Sequence, residues 1–89
     1  MVIKEVTIKN LSGLGSRKAA VFIQKASKYK SSIWVEKGER KANAKSLLGL
    51  LSLSIEGGGR ILLIADGEDE SAAVKELEDF LSTDQGYDD

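Results

Sequence analysis

Two clusters of residues in this 89-residue chain have the types and spacing to do chemistry. The first is Asn43-Ala-Lys-Ser-Leu-Leu-Gly-Leu-Leu-Ser-Leu53, in which Ser46 immediately precedes Leu47, Leu48, Leu50, Leu51 and Leu53. The leucines favour helix, and Ser46 stands where an N-cap belongs; its hydroxyl can accept from a free N–H of the first turn, worth roughly 1 kcal/mol. Helical spacing sets Leu47, Leu50 and Leu51 on one side and turns Leu48 away from their centre. One short helix cannot bury all five leucines against a small domain, so some are expected in solvent. An exposed apolar cluster beside a phosphorylatable serine makes a docking surface; the plain alternative is a capping serine on a core helix. The second cluster is Gly13-Leu-Gly15-Ser16-Arg17-Lys18. Free N–H groups at a helix start, with Arg17 and Lys18 beside them, favour an anion, which makes Gly15, Ser16 and Arg17 a weak anion-binding candidate. The glycine spacing matches neither a phosphate loop nor a dinucleotide fingerprint, and an ordinary strand-to-helix turn is the better explanation.

Composition removes most other chemistries. The chain has no cysteine, hence no disulfide, thiol nucleophile or thiolate metal ligand, and no histidine, hence no imidazole acid–base catalyst and no phosphohistidine. No carboxylate pair stands in a context that suggests metal or glycosidase chemistry. No catalytic residue, cofactor or metal is therefore expected, and 89 residues leave room for one core and a surface site rather than a deep cleft. No apolar run approaches a membrane span and the start, Met-Val-Ile-Lys-Glu, is no signal peptide, so the expected compartment is the cytoplasm. Residues 1–45 carry eleven Lys and Arg against three acids, and residues 46–89 carry two against eleven. Such polarity steers charged partners by one face, unless the two halves pair within the fold.

The elements that must position these clusters follow from periodicity. Val2–Lys9 alternates as a strand with one buried face. A glycine-containing break over residues 10–15 leads to a helix over Ser16–Tyr29, with Ser16 as N-cap, Ala19, Phe22, Ile23, Ala26 and Tyr29 inward, and Arg17 and Lys18 among the polar positions. Ser32–Glu36 and Arg40–Asn43 read as a hairpin turning at Lys37-Gly38, then the Ser46 helix follows. Arg60–Ala65, unbroken in its apolar residues, reads as a strand in the middle of a sheet. A last helix, capped by Asp69 or a neighbour, runs to about Leu81 with Ala73, Val74, Leu77, Phe80 and Leu81 inward. Residues 1–82 form one domain, and the acidic residues 83–89 are expected to be a disordered tail. Amphipathic helices over a half-exposed sheet make an α+β, open-faced β-sandwich with a four-stranded antiparallel sheet and three helices on one face.

With both clusters placed, the chain resembles HPr, the small phosphocarrier of the bacterial sugar phosphotransferase system. The family's active-site loop, Gly-(Leu/Ile)-His-Ala-Arg-Pro-Ala, stands here as Gly13-Leu14-Gly15-Ser16-Arg17-Lys18-Ala19. Its regulatory-serine segment is matched by Asn43–Leu53, and Gln24-Lys-Ala26-Ser27 and Gly67-Glu-Asp69-Glu70 agree as well. Gly15 stands where the family has its phosphorylated histidine, so sugar phosphotransfer is excluded. Ser46 keeps its surroundings. The resemblance is to the histidine-lacking catabolite repression HPr class of Gram-positive bacteria, although that class is associated with glutamine where this chain has Gly15.

The resemblance implies a regulatory phosphoprotein rather than an enzyme. Ser46 would be phosphorylated by HPr kinase/phosphorylase, and the product would act as corepressor of a LacI-type catabolite control regulator in carbon catabolite repression. Phosphorylation adds about two negative charges at a helix N-terminus, where the dipole favours them. The expected partner contacts are Leu47, Leu48 and Leu51, with Lys45 beside the serine and Arg17 and Lys18 on the neighbouring helix. Two other readings stand beside this one. A phosphorylation-independent adaptor for a metabolic enzyme or regulator would need only the leucines. A nucleic-acid module would use the basic half with Tyr29 and Trp34, but lacks an aromatic-rich strand for stacking bases. Neither membrane nor direct nucleic-acid binding is expected, and the glycine loop leaves monomer and strand-exchanged dimer both open.

Overall fold

A computed structural model describes residues 1–9 and 13–83. The elements are β1 (Val2–Thr7), α1 (Ser16–Ala26), β2 (Ser32–Lys37), β3 (Arg40–Asn43), α2 (Leu47–Ser52), β4 (Arg60–Asp66) and α3 (Glu70–Ser82). The strands form one sheet in the order β1-β4-β2-β3, antiparallel throughout. The continuous apolar run of β4 does lie inside the sheet, and the open-faced α+β sandwich is as the patterning predicts. Val6 and Ile8 from β1 and its extension, Val35 from β2 and Leu63 from β4 point to the helical side, where they bury Phe22 of α1, Leu50 of α2 and Leu77 of α3. All five residues of the predicted inward stripe of α3 are buried. On the opposite face, the register lines up Ile3, Ile64, Trp34 and Asn43 in one cross-strand row, and Glu5, Leu62, Glu36 and Lys41 in the next.

Element ends differ from the reading of the sequence for local reasons. Helix α1 stops at Ala26 rather than Tyr29, because Lys28 and Tyr29 donate to carbonyls only three residues back and tighten the last turn. The hairpin turn is Gly38-Glu39, one residue later than expected. Lys37 stays paired with Arg40, and Gly38 takes a φ of +60°, which suits the first position of a two-residue turn. Strand β1 ends at Thr7, although Ile8 still donates to the Gly59 carbonyl. Of the break over residues 10–15, residues 10–12 lie outside the described residues, as do residues 84–89 of the acidic tail.

Asp69 occupies the N-cap position of α3 but does not cap it. Its carboxylate reaches across to the Lys30 N–H at 2.8 Å, the Ser31 N–H at 3.0 Å and the Ser31 hydroxyl. The hydrogen bond from the buried Ser31 hydroxyl, followed by the Lys30 N–H, holds the Asp69 carboxyl below its usual range. The corner between α1 and β2 is therefore tied to the start of α3. A second tie joins the same elements at Glu76, whose carboxylate accepts from the Tyr29 hydroxyl and from Lys28. The bond from Tyr29 lowers the Glu76 carboxyl, and the reciprocal bond pushes the Tyr29 phenol up to about 12.

These shifts predict a stability plateau with two limbs. The carboxylates of Asp69 and Glu76 contribute stability above the ordinary carboxylate range, and that contribution is lost as pH falls through their lowered values. The phenol contributes stability below its ordinary value, and that contribution is lost as pH rises towards about 12. Thermal melts across pH are expected to show both limbs. In Glu76→Gln, the alkaline limb assigned to Tyr29 should shrink while the Asp69 part of the acid limb remains; an unchanged alkaline limb would contradict the assignment.

Candidate functional site

The Ser46 helix is built by a tight exit from the hairpin. Ala44 donates to the Ile33 carbonyl at 2.9 Å, the Lys45 N–H to Asn43 Oδ1 at 2.8 Å, and the Ser46 N–H to the Asn43 carbonyl at 3.0 Å. This small side-chain-to-backbone turn sets Ser46 in extended geometry, with φ −113° and ψ 115°. From there its hydroxyl accepts from the Gly49 N–H at 3.2 Å, so Ser46 is the N-cap that the sequence predicts. Gly49 adds a requirement that spacing alone did not reveal. A Cβ there would stand 3.3 Å from both the Ser46 hydroxyl and the Ala42 side chain, so the bare backbone lets the first turn close on its cap.

The other end of α2 is held by a residue that no sequence pattern singles out. Lys37, on β2, donates from Nζ to the carbonyls of Leu53 at 3.1 Å and Ser54 at 2.6 Å. A cation there satisfies carbonyls left open at the helix end and complements the negative pole of its dipole. Its only sequence signal is its place at the end of β2, and the pairing distance along the chain is not periodic.

Between these two anchors the leucines divide. Leu50 and Leu53 are buried, while Leu47, Leu48 and Leu51 are 43%, 82% and 37% exposed. The overcrowded helix thus leaves apolar surface in solvent, as the count of leucines requires. The division itself differs from the helical-wheel reading: Leu47 and Leu51 side with Leu48 rather than with Leu50. The reason is that α2 is only six residues long and approaches the core along a single line, which Leu50 and then Leu53 occupy.

The cations predicted around Ser46 fare unequally. Arg17 is exposed near the start of α1, which packs against α2. Lys18 is corrected: it is 4% exposed and turns inward beside Ala19, so it does not present its charge to a partner. Lys45 is half-buried and makes contacts within the fold. Its Nζ donates to the carbonyls of Tyr29 at 2.8 Å and Ser31 at 3.0 Å, so its charge fastens the α1–β2 corner from within.

At the weak anion candidate, the N-cap of α1 is Gly15 and not Ser16. The Gly15 carbonyl accepts from the Ala19 N–H at 2.8 Å, which makes exposed Ser16 the first helical residue; no side chain caps the helix. Gly15, Ser16 and Arg17 are therefore brought together at one helix start. No group of metal-ligating side chains occurs among the described residues. An open hollow of about 360 Å³ lies between α1 and α3, against Lys25, Glu76 and Phe80, away from Ser46. A smaller one of about 160 Å³ adjoins Trp34, Asn43 and Lys45.

Residues 2–83 match the family profile described as the PTS HPr component phosphorylation site. The chain belongs to the HPr family. An HPr-like protein Crh from Halalkalibacterium halodurans is 46% identical over 81 residues, which is 91% of this chain and 96% of that one. The crystal structure of HPr-C-His from Thermoanaerobacter tengcongensis superposes with a TM-score of 0.92 at 44% identity, covering 99% of each chain. The crystal structure of Crh from Bacillus subtilis, described as a catabolite repression protein forming a swapped dimer, superposes at 0.74 with 41% identity over 91% of this chain and 93% of that one. The chain has no histidine, and Gly15 caps α1 from its backbone. No helix of the described residues is long and apolar enough to cross a membrane.

Proposed function

We propose that this HPr-family protein is a regulatory phosphoprotein of carbon catabolite repression, and not an enzyme or a sugar phosphocarrier. HPr kinase/phosphorylase modifies Ser46, and a LacI-type catabolite control regulator reads the product. The observation that carries this reading is the division within α2: a capping serine at the end of a helix whose next exposed residues are Leu47, Leu48 and Leu51. A phosphate at Ser46 stands at the positive pole of α2, so the helix persists and the modification adds a local anion beside an apolar patch. A partner with a cationic pocket next to an apolar surface recognises both together. Arg17, on the adjacent helix, extends the contact, whereas Lys18 and Lys45 act within the fold. The kinship with Crh supports the regulatory role, and the absence of histidine supports the loss of phosphocarrier chemistry. The swapped dimer of Bacillus subtilis Crh supports a dimer as one assembly open to this chain beside the monomer.

The test is intact-protein mass after incubation with ATP and an HPr kinase/phosphorylase. One added phosphate is expected on the natural chain and none on Ser46→Ala, which should lose about 1 kcal/mol of stability with its cap and remain folded. If the natural chain gains no phosphate from a kinase that modifies ordinary HPr, the leucines would be left to a phosphorylation-independent adaptor.

A further inference from the structure

Among the described residues, Ser54 alone other than the glycines has a left-handed backbone, with a φ of +51°. A side chain makes that conformation costly, so neighbouring contacts must hold it. The residue falls just past α2, exposed between buried Leu53 and Ile55. The carbonyls of Leu53 and Ser54 flank its Cα, and both accept from the one Lys37 ammonium, at 3.1 Å and 2.6 Å. Two bonds to a single cation constrain the angle between those peptide planes, and with it the conformation of Ser54.

The placement of Lys37 follows from the sheet. Alternation along β2 puts it on the helical side with Ile33 and Val35, so its stem points towards the exit of α2. Its cross-strand neighbour is Arg40, a like charge directly opposite, which disfavours a cation at this position. Among the described residues no carboxylate offsets this by pairing with Lys37. The two carbonyls are its compensating partners.

Ser54 stands between the two parts of the docking face around Ser46. Upstream, its N–H donates to the carbonyl of exposed Leu51 at 3.2 Å. Downstream, the Ile55 carbonyl accepts from the Leu14 N–H at 3.1 Å, and Gly13 lies against that same carbonyl. Leu14 leads directly to Gly15, the N-cap of α1, and so to exposed Arg17. We propose that Lys37 is a positioning residue for recognition at Ser46: by holding Ser54 it sets the α2 leucines and Arg17 at a fixed separation. It acts through the backbone from a half-buried place at the end of β2. This rests on the reading of Ser46 and its leucines given above and adds the residue that joins the two halves of the face.

Initial rates of Ser46 phosphorylation by an HPr kinase/phosphorylase, measured on the full chain against its concentration, test the proposal. Lys37→Met keeps the stem and removes the charge. It is expected to raise KM about fivefold or more and leave kcat within about twofold, because Ser46 and its cap are untouched. Lys37→Arg keeps a cation with its donors and should return KM to within about twofold of the natural value. In Lys37→Met, amide exchange should quicken about tenfold at Leu14 and Ser54 and stay unchanged at Leu77 in α3. An unchanged KM in Lys37→Met would overturn the proposal while leaving Ser46 as the modified residue. So would a failure of arginine to rescue. Exchange quickened throughout α3, or global unfolding of Lys37→Met, would also overturn it, since the tie would then support the whole fold and not this face. A natural chain that takes no phosphate would instead overturn the reading of Ser46, and the proposal with it.

Discussion

Leu50→Ala is expected to destabilise the protein by about 3 kcal/mol, whereas Leu48→Ala, two residues away in the same helix, should leave stability within about 0.5 kcal/mol. Leu50 is fully buried, and truncating it removes its transfer free energy and leaves a cavity that a small, three-helix layer cannot close. Leu48 is 82% exposed and has little contact to lose. The functional outcome runs the other way. If the regulator reads the patch beside phosphorylated Ser46, Leu48→Ala should weaken that binding about tenfold or more while folding normally, since a truncated central apolar contact commonly has that effect. Urea titration and regulator binding on the same samples separate the two roles. Equal stability losses at both positions would mean that Leu48 is packed rather than displayed. Unimpaired binding by Leu48→Ala would remove it from the contact.

Gly13→Ala is expected to be nearly as damaging, at about 3 kcal/mol, despite adding one methyl group. Gly13 has a φ of +72°, and its new Cβ would stand 2.3 Å from the Ile55 carbonyl and 2.9 Å from Glu56 Cα. Backbone cannot swing aside as a flexible side chain can, and the Leu14 N–H already donates to that same carbonyl at 3.1 Å. Gly38→Ala is the matched control, for Gly38 has a φ of +60° but open space around it. It should lose only the roughly 1 kcal/mol of left-handed backbone strain. Denaturant midpoints for the two variants measure the difference, which is the clash itself. A similar loss in both would mean that the loop ahead of α1 yields.

The elements of this protein were legible in its sequence wherever periodicity spoke. The stripe of α3, the inward strand β4 and the cap at Ser46 each follow from spacing and residue type, because burial on one face and a hydroxyl at a helix start are local rules. The unreadable parts are the long-range ties. Asp69 looked like a cap but bonds to Lys30 and Ser31, nearly forty positions back, and Lys45 looked like a surface cation but holds two carbonyls before β2. No window of sequence contains such pairs. Lys18 was misplaced for a related reason. A lysine near a helix start reads as solvated by type, and its burial depends on tertiary packing that no local rule supplies.

The two anchors of α2 have a consequence for the speed and selectivity of recognition. A six-residue helix is far too short to persist by its own propensity. Here Ser46 fixes its first turn and Lys37 its last, from opposite ends of the hairpin. Leu47, Leu48 and Leu51 are consequently offered to a partner as a preformed shape, with the loss of chain entropy already met during folding instead of at the encounter. A phosphate added at Ser46 therefore changes the charge that a partner meets without having to create the surface that it grips.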